Sequence, residues 1–201
     1  MELILESQNL TDYLAEIPNI IDFNTPLVHQ KVKWIKAQTN EPIKQAELAF
    51  EIARDEIQHS FDIESKAVSI SAEDTLNSCE GICFAKAHLL ATLLRAIQIP
   101  CGFCYQRVLR KGTVESGYAL HGLNAVYLPK VGWFRLDPRG NKKGIDSQFS
   151  IATEKLAYPI REELGEIDYP NIFTKPLDSV IQSMLNSTST KELFFNRPTS
   201  I

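Results

Sequence analysis

The run from Ile82 to Ile97 constrains this chain more than any other stretch. Within ICFAKAHLLATLLRAI only Lys86, His88, Thr92 and Arg95 interrupt apolar or small residues, and a helix that is apolar nearly all round must be buried in a domain. At about sixteen residues it is shorter than the ~20 needed to cross a bilayer. Pro100 closes it, because the residue ahead of a proline is pushed out of the helical region. At the other end Gly81 permits a tight turn just before Cys83, which the pattern places at or near the first turn of the helix. Unpaired backbone N–H groups and the positive end of the macrodipole favour an anion there. A thiolate is such an anion, so this position suits a cysteine with a lowered pKa, a candidate nucleophile.

The rest of the chain arranges itself around that helix. Residues 1–38 read as helical, with Thr25 and Pro26 opening the segment PLVHQKVKWIKAQ. A second helix begins near Pro42, with Ala46, Ala49, Phe50, Ala53 and Ile57 on one stripe. Ser71 and Asp74 resemble a capping box before the central helix. After Pro100 the period changes to alternation in CGFCYQRVL, YALHGLNAVYL and WFRLD, with a hairpin folded about Pro129 to Gly132. FSIATEKLAYPI carries a short final strand, and Pro176 to Leu185 one last helix. Helices first and strands second is an α+β order, with helices packed on one side of an antiparallel sheet. The 201 residues, 44% hydrophobic and 23% charged, fit one domain over 1–201. Its core spans about 45–145, with a helical N-terminal extension at 1–44 and a C-terminal tail at 146–201.

A net charge of −4 with no basic block argues against a nucleic-acid partner. The start MELILESQNLTDYL has no basic region leading into a long apolar run, so neither a signal peptide nor a membrane anchor is expected, and the cytoplasm is the expected compartment. The four cysteines all lie between Cys79 and Cys104, a cluster more often catalytic or metal-binding than disulfide-forming in that compartment. Zinc fails on reach. A helix from Cys83 to Ile97 is about 21 Å long, while the residues on to Cys101 return at most about 13 Å. Cys101 and Cys104 would also point to opposite faces of a strand. No metal and no cofactor are expected, and the chain has no calcium loop of the D-x-D-x-D-G type.

A cysteine nucleophile needs a base, and the base needs a group that holds its tautomer. His121 and Asp137 face each other across the predicted hairpin to within a residue or two of register, and Asp137 shares one face of its strand with Trp133 and Arg135. Gly122, odd in a strand, suggests close approach by another group. The Cys83 N–H is a natural oxyanion donor, with Gln106, Tyr105 or Asn77 as candidates for a second. Cys79 is a rival nucleophile or, more simply, a buried neighbour, and Cys101 and Cys104 read as core. His88 reads as a hydrogen-bonded core histidine, His59 as a residue near the site, and Arg95 as a tie between the helix end and neighbouring carbonyls.

These residues carry a resemblance. Gly81-Ile82-Cys83 ahead of Leu93-Leu94-Arg95, then Ile99-Pro100, the strand histidine His121, and W-x-x-x-D-P from Trp133 to Pro138 resemble the transglutaminase-like cysteine-enzyme superfamily over roughly residues 45–145. Leu123 stands where the family often has an aromatic residue, and Phe84 where it often has a polar one. The resemblance implies a papain-like α+β fold with Cys83 as nucleophile, His121 as general base and Asp137 as orienting acid. It also implies a thioacyl intermediate formed from a peptide or amide substrate. Hydrolysis is expected over amine transfer, in a peptidase or amidase. The alternative is a scaffold of the same fold that binds protein in its cleft without catalysis.

Overall fold

The computed structural model describes Met1–Ile201. A two-residue strand β1 (Ile4–Leu5) and a short 3-10 turn (Leu10–Tyr13) precede helix α1 (Pro26–Gln38). Pro26 opens α1 where no donor is needed. The N–H groups of Leu27 and Val28 donate to the Glu73 carboxylate at 3.1 and 3.2 Å, a cap supplied from another helix. Helix α2 (Pro42–Glu51) widens into a π-helical turn (Ile52–Glu56) and leads to strand β2 (Gln58–His59). Helix α3 (Ala72–Ser78) starts on the full capping box of Ser71 and Asp74 and ends at Cys79, left-handed at φ 54°. Strand β3 (Glu80–Gly81) then pairs in parallel with β2 and feeds directly into α4 (Cys83–Ala96).

The strands that follow are β4 (Cys101–Leu109), β5 (Tyr118–Leu128), β6 (Gly132–Leu136), β7 (Ile167–Asp168) and β8 (Asn171–Ile172). They are followed by helices α5 (Asp178–Leu185) and α6 (Thr190–Asn196). The main sheet is antiparallel in the order β6-β5-β4-β7, and β1 pairs with β8. Cys101, Phe103 and Tyr105 of β4 and Leu120 and Val126 of β5 belong to the large core that includes α4. Cys104, Leu123 and Ala125 alternate to the other face, in a small cluster with Tyr13 and Ile172. Cys101 and Cys104 thus sit on opposite faces of one strand. The mixed architecture is the α+β class that the element order implies. No helix is long and apolar enough to cross a membrane.

The polar residues of α4 are buried and satisfied. Lys86 Nζ donates to the carbonyls of Arg54, on the π-turn at 3.1 Å, and of Ile57 just after it. His88 Nδ1 donates to the Ile70 carbonyl at 2.8 Å. Arg95 reaches the carbonyls of Cys101, Ala15 and Thr174, each at 2.7 Å at its shortest, which is the carbonyl tie expected of it.

Three sequence readings need correction. Residues 1–38 are α-helical only from Pro26 on, because Ile4 and Leu5 leave their neighbours to pair with Asn171 and Ile172. The stretch 149–160 holds no strand and only the single bridge Gln148↔Lys155. The fourth strand of the sheet is instead Ile167–Asp168, laid against Gln106 and Arg107. The tail also carries a second helix, α6, whose Ser189 side chain accepts from the Glu192 N–H at 3.3 Å. That S-x-x-E signal was legible in the sequence.

Candidate active site

Cys83 is the first residue of α4 and only 2% exposed. No side chain caps this helix, so its first-turn N–H groups stay open beside the thiol. Gly81 is required here for closeness rather than for its dihedrals, since a Cβ would lie 2.9 Å from that of Ala85. The left-handed turn falls on Cys79 instead.

The position of the thiol follows from where β6 stops. Pairing of β5 with β6 runs from Leu128↔Gly132 to Asn124↔Leu136 and no further, which leaves that edge of β5 bare at Gly122. Alternate residues of a strand turn their N–H groups to the same edge. The Gly122 N–H opens there and favours the Cys83 thiolate, and the Leu120 N–H donates to the Pro198 carbonyl at 2.7 Å. A Cβ on Gly122 would lie 2.7 Å from Phe84 Cδ1, so the glycine is what lets the start of α4 press against β5. Gly122→Ala is expected to cost about 1–3 kcal/mol of stability through overpacking, and Phe84→Leu in the same chain should restore part of it. A single variant as stable as wild type in urea unfolding would show that the helix can shift freely.

His121 Nε2 donates to Asp137 Oδ2 at 2.8 Å, which leaves Nδ1 free on the cavity that His121 and Cys83 both line. The register places Asp137 two residues from directly opposite His121 and on the same face. Asp137 is fully buried, and its oxygens also accept from the N–H groups of Arg139 at 3.1 Å and Ala157 at 2.9 Å. Burial alone would push the imidazole pKa down, but the charges and hydrogen bonds of Asp137 and Cys83 carry it up to about 10. Burial would likewise raise the Cys83 pKa. The His121 charge and hydrogen bond, the Arg197 charge and the Gly122 N–H outweigh it and bring the thiol down. For Asp137 too, His121 and the two backbone donors overcome burial and lower the pKa. The three groups therefore favour a thiolate, an imidazolium and a carboxylate together.

Tyr158 closes over this pair. Its ring meets that of His121 edge-on, 4.8 Å between centroids, and its hydroxyl accepts from Arg139 Nε at 2.9 Å. Arg139 is itself clamped by Asp62 at 2.6 and 2.9 Å. The aromatic neighbour of His121 thus comes from a distant loop. Cys83, His121, His59, Tyr158, Arg139 and Arg197 all line one cavity of about 510 Å³. His59 arrives through the pairing of β2 with β3. Burial, then the charges of Arg139 and Lys86, hold its pKa well below the ordinary histidine value.

Other sequence candidates lie elsewhere. Cys79 is exposed rather than buried, with its thiol donating to the Leu76 carbonyl at 3.4 Å, and it does not line the cavity. Of the three candidates for a second oxyanion donor, none lines the cavity. The Tyr105 hydroxyl accepts from the Leu177 N–H at 3.1 Å beneath the sheet. Gln106 is directly opposite His121 in register, but its amide donates to Asp168 at 3.3 Å. Asn77 is exposed on α3. Burial pushes the Cys101 thiol up to about 12 and the Cys104 thiol higher still. Tyr158 and Arg197 escaped the sequence reading because neither sits in a periodic segment.

The transglutaminase-like superfamily matches residues 30–138, more than half of the chain, and the chain belongs to that superfamily. Among solved structures, a "putative cysteine protease" from Cytophaga hutchinsonii shares 17% identity at a TM-score of 0.50, over 66% of this chain and 43% of that one. The periplasmic domain of TgpA from Pseudomonas aeruginosa shares 17% identity at a TM-score of 0.45, over 63% of this chain and 45% of that one. The chain thus spans less than half the length of either. None of the curated proteins matches it. Family and fold together support a cysteine-dependent enzyme in general.

Proposed function

We propose that the protein hydrolyses a peptide or amide bond through a thioacyl intermediate, with Cys83 as nucleophile, His121 as acid and base, and Asp137 as the group that orients His121. The observation that carries this reading is the buried Asp137 carboxylate holding His121 Nε2 at 2.8 Å in the same cavity as the thiol at the open start of α4. In the first step the Cys83 sulfur attacks the carbonyl carbon. The oxyanion forms beside the free Cys83 N–H, and His121 Nδ1 gives its proton to the departing amine. In the second step His121 takes a proton from water as the water attacks the thioester, and the carboxylic acid leaves with the sulfur regenerated as thiolate. Asp137 stays ionised throughout.

Water is favoured over an amine as acceptor by the charge of the cleft. Six cations, Arg110, Lys111, Arg139, Lys142, Arg161 and Arg197, line it against the two carboxylates of Asp62 and Glu166, although the chain as a whole carries −4. An ammonium acceptor would be repelled on approach.

The test has two measurements. Cys83 should be alkylated by iodoacetamide well below the ordinary thiol pKa of ~8.5, and the protein should cleave members of a peptide and amide library without added amine. Turnover should rise as Cys83 ionises and fall as the pH passes about 10, where His121 gives up the proton that the leaving amine needs. Labelling only near the ordinary thiol pKa, with no cleavage, would return the protein to the class of non-catalytic binding scaffolds.

A further inference from the structure

The six cations of the cleft are not equivalent. Arg139 and Lys142 are spent on Asp62, and Arg161 on Glu166. Arg110 is spent on the end of α6, donating to the carbonyls of Phe194, of Phe195 at 3.1 Å and of Arg197 at 3.1 Å. Arg197 is only 9% exposed and makes no ion pair. Its one side-chain hydrogen bond runs from Nε to the Phe194 carbonyl at 3.4 Å, which leaves both terminal nitrogens without a protein acceptor. The rings of Phe194 and Phe61 flank it, with the guanidinium carbon 4.8 and 5.0 Å from their centres. A buried cation without a carboxylate partner is costly, and two aromatic faces hold this one in place.

Its location is set by the strand edge. The Pro198 carbonyl, next in the chain, is held by the Leu120 N–H at 2.7 Å. The Gly122 N–H, which favours the Cys83 thiolate, opens on the same edge two residues along, or about 7 Å. Arg197 is therefore fixed on the cavity that the thiol lines by a segment that lies beyond the family match, which ends at residue 138. Burial lowers its pKa to about 10, so it remains a cation at neutral pH.

We propose that Arg197 binds a carboxylate of the substrate, and that the enzyme takes an acidic peptide or amide whose negative charge lies next to the bond that Cys83 attacks. The guanidinium offers a planar pair of N–H donors that matches a carboxylate. Lys111, exposed and without an ion-pair partner on the rim, adds attraction at longer range. The carboxylate comes either from an acidic side chain or from a free C-terminus. This inference rests on the proposed function, since it needs a reactive Cys83.

The test compares two alkylating agents of like size on the full chain at pH 7. Iodoacetate carries the carboxylate and iodoacetamide does not. The ratio of their rates at Cys83 should fall about tenfold in Arg197→Gln, the size of one charge-assisted hydrogen bond, and less in Arg197→Lys, which keeps the charge. Any effect of Arg197 on the thiolate population slows both reagents alike and cancels in the ratio. A second arm needs no variant: protection of wild-type Cys83 against iodoacetamide by acetyl-aspartate α-amide or by acetylglycine. Protection by the first supports a side-chain carboxylate, and by the second a C-terminal one. An unchanged ratio, or protection by neither ligand, overturns the inference while leaving a fast reaction with iodoacetamide, and with it the proposed function, standing. If neither reagent labels Cys83 faster than a free thiol, both fall.

Discussion

Cys83→Ala should abolish amide cleavage and the low-pH alkylation while leaving the fold almost unchanged. This is the largest effect expected, because no other thiol lines the cavity. Cys101 and Cys104 are buried with raised pKa values, and Cys79 lies outside. The stability cost is small because only a sulfur is lost, at a site whose other partners, the Gly122 N–H and His121, remain next to the cavity. Leu93→Ala in the same helix is the control. Leu93 is fully buried, so its truncation should cost about 2–5 kcal/mol. Turnover in parallel with urea denaturation separates the two variants. Full turnover in Cys83→Ala together with its loss in Cys79→Ala would transfer the nucleophile to the wrong side of β3 and end the present assignment.

Asp137→Asn should lower turnover by about three to four orders of magnitude. The carboxylate accepts from three N–H groups, those of Arg139, Ala157 and His121 Nε2. An asparagine has one acceptor oxygen in place of two. If its amide nitrogen turns towards His121, Nε2 must become the acceptor and the ring proton moves to Nδ1, where it blocks transfer from the thiol. If the oxygen faces His121, the amide nitrogen opposes the Arg139 N–H instead, and the cost appears as stability, about 1–3 kcal/mol. In both cases the imidazolium loses its counter-charge. His121 then falls from about 10 towards its ordinary value, and the thiolate loses support with it. Alkylation of Cys83 from pH 5 to 9 should show its midpoint moving up towards ~8.5. Superimposable curves for wild type and variant would reduce Asp137 to a turn residue ahead of Pro138.

The sequence was most readable where a period is long and one-sided. The apolar run from Ile82 to Ile97 specified α4 to within a residue at each end, and the alternation in CGFCYQRVL and YALHGLNAVYL gave β4 and β5 as observed. The capping box at Ser71 and the proline at Pro26 fixed two helix starts, because each satisfies or removes a particular orphan donor. The glycine at position 122 announced a close approach, and the structure names its partner as Phe84. Two-residue strands such as β1 and β7 have no period to detect. They form wherever another strand leaves N–H and C=O groups open, as β4 does at Gln106 and Arg107.

What the sequence determined by itself, then, is the buried helix, the strands that pack on it, and a cysteine at the helix start with a histidine and an aspartate one hairpin away. Local periodicity and steric rules carry that information, and they act within a few residues. Tertiary structure alone decided the surroundings of the thiol. The early end of β6 bares the edge of β5, the loop carrying Tyr158 covers His121, and α6 delivers Arg197 between two aromatic rings. These groups come from segments more than thirty residues away from Cys83 in the chain, and no short-range pattern encodes where such segments meet. Their placement depends on which backbone groups and apolar faces the core leaves unpaired once it has formed.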